Sequence, residues 1–142
     1  MANEIQLSEN VNPAMEIDFE HVNSSYCSMV ATTKEQKAAL FNAMNNPQFR
    51  LADYINKTIT VKDVFAEIVR IANPETGEIQ YCPRIVLIDK EGKAYQCVSL
   101  GIYSGLKKLM QVYGTPTWED GVVIRIKQLK KGTKSILTLE VV

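Results

Sequence analysis

Aromatic rings and basic side chains recur together in the second half of the chain. The rings are Phe65, Tyr81 and Tyr95, and the basic residues beside them are Arg70, Arg84 and Lys93. Five more basic residues follow near the C-terminus: Arg125, Lys127, Lys130, Lys131 and Lys134. Rings that stack on bases within a positively charged groove are how proteins hold single-stranded nucleic acid. The pattern favours such a site, although strand aromatics can equally be core residues and hairpin lysines can simply be solvated.

Residue types that catalyse reactions or bind metals are sparse. His21 is the only histidine, and Cys27, Cys82 and Cys97 form no C-x-x-C pair. The run KKGTKS lacks the glycine that a phosphate-binding loop places five residues before its Gly-Lys. The acidic residues show no spacing that brings two of them together. We therefore expect no enzyme activity, no metal site and no cofactor.

The elements that must position these residues are predicted from the apolar pattern of residues 57–142. The run KTITVKDVFAEIVRI alternates, breaks at Lys62-Asp63 and then resumes, which predicts a long strand bent by a bulge. Four further strand patterns follow, with the helical pattern GIYSGLKKLMQVYG between the third and the fourth. A mainly β fold is expected, with the strand and helix order of a five-stranded OB-type Greek-key barrel.

Several side chains of this barrel can be assigned in advance. Pro83 has no N–H to donate, so the second strand must lie at an edge or bulge there. The helix is expected to bury Tyr113 together with Ile102, Leu106, Leu109 and Met110. Trp118 is expected to cap the barrel as a core residue, with stacking on a ligand as the alternative. Tyr81 and Arg84 lie on opposite faces of the second strand, and the pattern leaves open which face is exposed.

The chain before the barrel divides into two parts. Residues 33–56 are predicted to form a helix, capped by Thr32 or Thr33, and a short apolar bridge packed on the barrel. Residues 1–32 are predicted to be a flexible acidic leader: a disordered arm, an added edge strand, or a segment that touches a partner or the basic face. The asymmetry is measurable, since residues 1–56 carry three basic and seven acidic side chains, whereas residues 57–142 carry 13 and nine.

A family resemblance is carried by two longer sequence segments and the basic hairpin. The segments are LADYINKTITVKDV and PRIVLIDKEGKAYQCVSLGIYSGLKKLMQVYGTPTW. Over about residues 50–142 the chain resembles the single-stranded DNA-binding proteins of bacteriophages that infect Gram-positive bacteria. The resemblance implies an OB-type barrel that coats single-stranded DNA. Many such proteins end in an acidic tail that recruits partners, whereas this chain ends in LTLEVV, so the acidic leader is expected to take that role.

The sequence thus predicts a protein that coats and protects single-stranded DNA, without sequence preference, in phage replication or recombination. Replication or recombination proteins and further copies of the chain are the other expected partners. A small barrel that binds proteins, as a phage accessory factor or host inhibitor, is the alternative. No apolar run approaches a membrane span and no secretory signal is present, so the cytoplasm of the host bacterial cell is the expected location.

Overall fold

Alternating apolar residues form long strands in the computed structural model, which describes residues 25–142. The strands are β1 (Ser25–Cys27), β2 (Phe49–Arg50), β3 (Thr58–Ala72), β4 (Ile79–Asp89), β5 (Ala94–Val98), β6 (Val122–Lys131) and β7 (Lys134–Val141). The helices are α1 (Lys34–Asn45), α2 (Leu100–Tyr113) and a short 3₁₀ helix at Leu51–Tyr54. The fold is therefore mainly β, with two α-helices.

All of the strands in the described residues belong to one mixed sheet. Its order is β2-β5-β4-β3-β6-β7, and β1 pairs with β3. Neighbours are antiparallel except β2 and β5, which are parallel. Side chains from both outer strands, including Phe49 of β2 and Leu139 of β7, pack against the same core cluster. The sheet is consequently curled into a half-barrel, and within residues 25–142 no ladder joins β5 to β7.

The break in the alternation of β3 is a β-bulge, as predicted. The pairing register between β3 and β4 shifts between Val61 and Asp63. Val61 and Val64 both pack in the main core, so their side chains point to the same side, which residues three apart on an unbroken strand could not do. Asp63 is buried at the bulge and accepts hydrogen bonds from the hydroxyls of Ser28, at 2.8 Å, and Thr117. The bulge thereby attaches two other segments to β3.

Helix α2 follows β5 directly and packs against β7. The Ser99 hydroxyl caps its start by accepting from the N–H of Ile102 at 3.1 Å. A side-chain carbon at Gly101 would overlap the carbonyl oxygen of Leu137, and one at Gly105 would meet the Leu139 side chain at 3.1 Å. The two glycines therefore let the helix backbone approach β7 beside the gap between β5 and β7.

The predicted buried face of α2 is correct except at its end. The buried residues are Ile102, Tyr103, Leu106, Leu109 and Met110. Tyr113 is 48% exposed, so the expectation that it packs in the core is wrong. The physical reason is that the last turn extends past the core, since residues 111–113 are exposed on every side of the helix. Trp118 is buried, as expected, and donates its indole N–H to the Gly114 carbonyl at 2.9 Å.

Helix α1 covers the outer face of the sheet. Thr33 and Gln36 form its capping box, and the helix ends at Asn45, before Pro47. Ala43 packs with Phe65, Val86, Ile88 and Ala94 in a second apolar cluster. This cluster explains why the second half of β4 is apolar on both phases: the main core covers one face and α1 covers the other.

Pro83 lies where its missing N–H matters least. It faces Ile68 of β3 on one side, while the ladder between β4 and β5 ends at the pair Arg84 and Val98. The predicted edge position is therefore confirmed on the β5 side.

The division into leader, helix with bridge, and barrel stays a prediction. Residues 1–24, which hold most of the predicted leader, lie outside the described residues. Its last part contributes the short strand β1, whose residue Tyr26 faces Ala66 of β3. Leu51 of the predicted bridge is fully buried, and Phe49, Tyr54 and Ile55 pack against the main core.

Candidate nucleic-acid interface

Strands β3 and β4 continue past the core as an exposed two-stranded ribbon, called here the β3–β4 arm (residues 70–81). Every residue from Arg70 to Tyr81 is exposed. The turn at its tip is held by Asn73, whose side-chain oxygen accepts from the N–H of Glu75 at 2.8 Å. Arg70 and Tyr81 are direct partners across the ladder, so their side chains lie on the same face.

The Arg70–Tyr81 pair has the properties of a base-stacking site. The tyrosine is 42% exposed, and no ion pair or ring contact within residues 25–142 involves either side chain. A cation beside an open ring can contact a phosphate while the ring stacks on a base.

Tyr95 does not present a ring to solvent. It is 6% exposed, its ring stacks on Phe49 at 5.2 Å between centroids, and Tyr54 packs edge-on at 5.0 Å. Its hydroxyl donates to Asp89 at 3.0 Å. Burial, with the hydrogen bond to Asp89, raises the pKa of Tyr95. The expected base contact at Tyr95 therefore has to be corrected, because the ring is a core element.

Phe65 requires the same correction. It is 4% exposed and belongs to the apolar cluster under α1, so no base reaches it in this structure. The sequence pattern could not separate this ring from an exposed one because the covering helix comes from another part of the chain.

Arg84 lies on the outer face of β4, opposite in phase to Tyr81. Its side chain is 15% exposed and donates to Glu67 at 2.9 Å and to Gln96 at 3.3 Å. Tyr81 shares the phase of Ile85, which is fully buried in the main core further along the strand. The positive charge of Arg84 is thus already matched by a carboxylate.

Two more of the predicted cations are ion-paired. Lys93 lies 3.3 Å from Glu91 and is half exposed. Arg125 donates to Glu140, its partner across the β6–β7 ladder, at 2.9 Å. Exposed pairs of this kind stabilise little and can exchange for a phosphate.

The remaining predicted cations form a basic hairpin, defined here as residues 127–134. Gly132, with a φ of 65°, allows the tight turn between β6 and β7. Within residues 25–142 no carboxylate pairs with the hairpin lysines. Those lysines are Lys127, which is partly buried, and the exposed Lys130, Lys131 and Lys134.

The arm and the basic hairpin leave the sheet at opposite ends of β3. Strand β6 pairs with residues 58–61 at the start of β3 and runs beyond them toward Lys131, whereas the arm continues from the other end. The structure therefore places the open Arg70–Tyr81 pair toward one end of β3 and the unpaired hairpin lysines toward the other.

Comparison with protein families identifies the class of protein to which the chain belongs. A family model for the phage single-stranded DNA-binding protein of the Phi29 type matches residues 19–142. The chain belongs to this family. No curated protein and no solved structure matched the chain.

Membership in the phage single-stranded DNA-binding family confirms the resemblance seen in the sequence. The match begins before α1, so it covers more of the chain than the resembling phrases do. Single-stranded DNA is the partner of this family, which is defined by binding and not by a catalysed reaction.

Metal-binding clusters and membrane-spanning helices are absent from residues 25–142. Between residues 25 and 142 no three His, Cys, Asp or Glu side chains come close enough to hold a metal ion. No helix in that range is long and apolar enough to cross a bilayer. The three cysteines are unpaired, and burial raises the pKa of the Cys97 thiol to about 12, which leaves it protonated.

Two residues beside the basic hairpin are binding candidates that the sequence pattern does not reveal. Helical spacing places Tyr113 in the core, whereas the structure leaves it half exposed. Lys108 suits the helix dipole in the sequence, yet it also lines a groove together with Lys131. Their signal in the sequence is the run KKLMQVYG, in which two lysines and a tyrosine lie within two helical turns.

Proposed function

We propose that this protein coats single-stranded DNA without sequence preference, and that the DNA runs from the side of the arm that carries Arg70 and Tyr81 to the basic hairpin. The observation that carries the proposal is the exposed pair Arg70 and Tyr81 at one end and unpaired lysines at the other. Phosphates would meet Arg70 and the hairpin lysines, and Tyr81 would stack on a base. Lys93 and Arg125 would exchange carboxylates for phosphates, whereas Arg84 lies on the opposite face from Tyr81 and stays paired with Glu67.

The proposal includes an OB-type Greek-key barrel built from β3 to β7. Five strands with a helix between the third and fourth are the elements of that fold, and its ligands cross the second and third strands between two flanking loops. The missing ladder between β5 and β7 is spanned by the close approach of α2 to Leu137. In this assignment the arm and the basic hairpin carry the two flanking loops.

The biological role proposed is protection of single-stranded DNA during phage replication or recombination in the cytoplasm of the host cell. Because the whole chain has a net charge of zero, the intrinsic affinity of one copy should be modest, so several copies would coat a strand together. The acidic leader would recruit replication or recombination proteins.

The test is a titration of the full chain with oligo(dT) at about 50 and 300 mM salt, where counterion release predicts weaker binding at the higher concentration. Lys130→Gln should reduce the slope of log affinity against log salt by about 0.7, the value for one lost single-strand phosphate contact. Lys37→Gln, on α1 and remote from the hairpin, removes the same charge and should leave the slope unchanged. Absence of binding at about 50 mM salt by folded protein would refute the proposal.

A further inference from the structure

A groove of about 680 Å³ lies between the second half of α2 and strands β6 and β7. Its walls include exposed apolar side chains: Val112 is 77% exposed, Leu129 47% and Ile136 37%. Tyr113 lies at the same groove and is 48% exposed. Such a cluster of exposed apolar side chains beside an open ring indicates a contact surface.

The charge of this groove indicates which kind of ligand it can bind. Lys108 and Lys131 line it, and within residues 25–142 neither is paired with a carboxylate. The carboxylate among the lining residues is that of Glu140, which Arg125 holds at 2.9 Å. Uncompensated positive charge next to an apolar and aromatic wall matches a chain of phosphates and bases.

The groove is continuous with the proposed DNA path because Lys131 belongs both to the basic hairpin and to the groove lining. DNA that reaches the hairpin from the arm therefore arrives at the groove entrance. The close packing of α2 on β7 at Gly101 and Gly105 fixes the two walls relative to each other.

We propose that single-stranded DNA leaving the basic hairpin continues into this groove, where Lys108 and Lys131 contact phosphates and Tyr113 stacks on a base. This inference rests on the proposed function and extends it to a second contact region. Short oligonucleotides fill the path between the arm and the hairpin alone, and only longer ones reach the groove.

The experiment compares oligo(dT) of about 6 and about 20 nucleotides, bracketing the 4–16 nucleotides typical of one OB fold. Tyr113→Ala should weaken binding of the long oligonucleotide by about 5- to 150-fold, the range for one lost base stack, and leave the short one unchanged. Lys108→Gln should also weaken the long one selectively and flatten its salt dependence. Lys34→Gln on α1 is the matched control for charge.

The possible outcomes separate the two proposals. If wild-type protein binds both oligonucleotides and the groove variants bind them equally well, the groove inference fails and the proposed function stands. The groove inference also fails if Tyr113→Ala weakens both lengths alike, or if sedimentation shows that it only dissociates an oligomer, since the groove would then be a protein interface. If wild-type protein binds neither oligonucleotide, both proposals fail.

Discussion

Strands β3 and β4 run through two regions of the molecule. In the body other elements pack on both faces of the strands, whereas in the arm both faces are exposed. In the body, residues Ile85–Asp89 of β4 are buried on both faces, by the main core on one side and by α1 on the other. In the arm, the same two strands are exposed on both faces. Tyr95 and Tyr81 share one phase of the sheet, yet the first is a locked core ring and the second is open. Whether a tyrosine ring is buried or exposed therefore depends on which elements pack over that part of the strand, and not on which face of the strand carries the ring.

The largest expected effect comes from removing a buried ring of the body, and it is on the free energy of unfolding. Tyr95→Ala removes a buried ring with two aromatic neighbours and leaves Asp89 without a hydroxyl donor, so it should lower the free energy of unfolding by about 3–5 kcal/mol. Tyr81→Ala, in the arm, should change it by no more than about 0.5 kcal/mol. Urea unfolding followed by circular dichroism measures both. Equal losses for the two variants would erase the distinction between body and arm.

A second test concerns the contact that joins α2 to β7 in the body. Gly101→Ala should destabilise the protein by about 1–3 kcal/mol because its added carbon overlaps the Leu137 carbonyl. Gly105→Ala is the matched control: it meets only the flexible Leu139 side chain, and the gain of about 1 kcal/mol in helix propensity should offset the cost. Thermal unfolding of the two variants gives the comparison. A stable Gly101→Ala would show that the helix does not approach β7 this closely.

The arm should dominate DNA affinity. Tyr81→Ala should weaken oligo(dT) binding by about 1–3 kcal/mol, the contribution of one stacked base. Tyr95→Phe keeps the buried ring and should leave affinity unchanged. Fluorescence anisotropy of labelled oligo(dT) reports both affinities. A larger loss for Tyr95→Phe than for Tyr81→Ala would reverse the assignment.

The smallest expected effect is a loss of stability at alkaline pH, which arises from a buried thiol in the body. Burial raises the pKa of Cys97 from its ordinary 9.0 to about 12, so the folded state keeps a proton that the unfolded state releases. The stability from this group is complete below about pH 9 and is lost as the pH rises toward 12. Near pH 10 the loss should be about 1 kcal/mol.

The variant Cys97→Ala isolates this effect. Urea unfolding of wild type and Cys97→Ala at pH 7 and pH 10 should show a smaller alkaline loss in the variant. Burial also raises the pKa of Tyr95, so part of the loss should persist. An identical loss in both proteins would mean that Cys97 does not titrate in this range.

Local features were predictable from the sequence, whereas the cover of each strand was not. The bulge at Asp63 and the cap at Thr33 depend on neighbouring residues, and both predictions are confirmed. Phe65 and Tyr95 were expected at the interface, but α1 and the segment around Phe49 cover them from distant positions in the chain. The prediction for Tyr113 was wrong in the other direction: the residue was expected in the core but is exposed. Helical spacing does not show where a helix extends past the core.

The partners of the basic residues could not be predicted for the same reason. Their number and approximate positions follow from the sequence, but their partners do not. Arg84 and Arg125 meet carboxylates across the sheet, whereas Lys131 meets none among residues 25–142. Such pairings depend on register, which only the folded sheet fixes.

Fluorine NMR of the full chain labelled with 3-fluorotyrosine would separate the open rings from the locked ones directly. On addition of oligo(dT) at low salt, the signal of Tyr81 should shift or broaden, while that of Tyr95 should stay unchanged. Substitution of each tyrosine by phenylalanine assigns the signals. A shift at Tyr95 with an unchanged Tyr81 would contradict the division between arm and body, and would place the DNA on the part of the sheet that the structure buries.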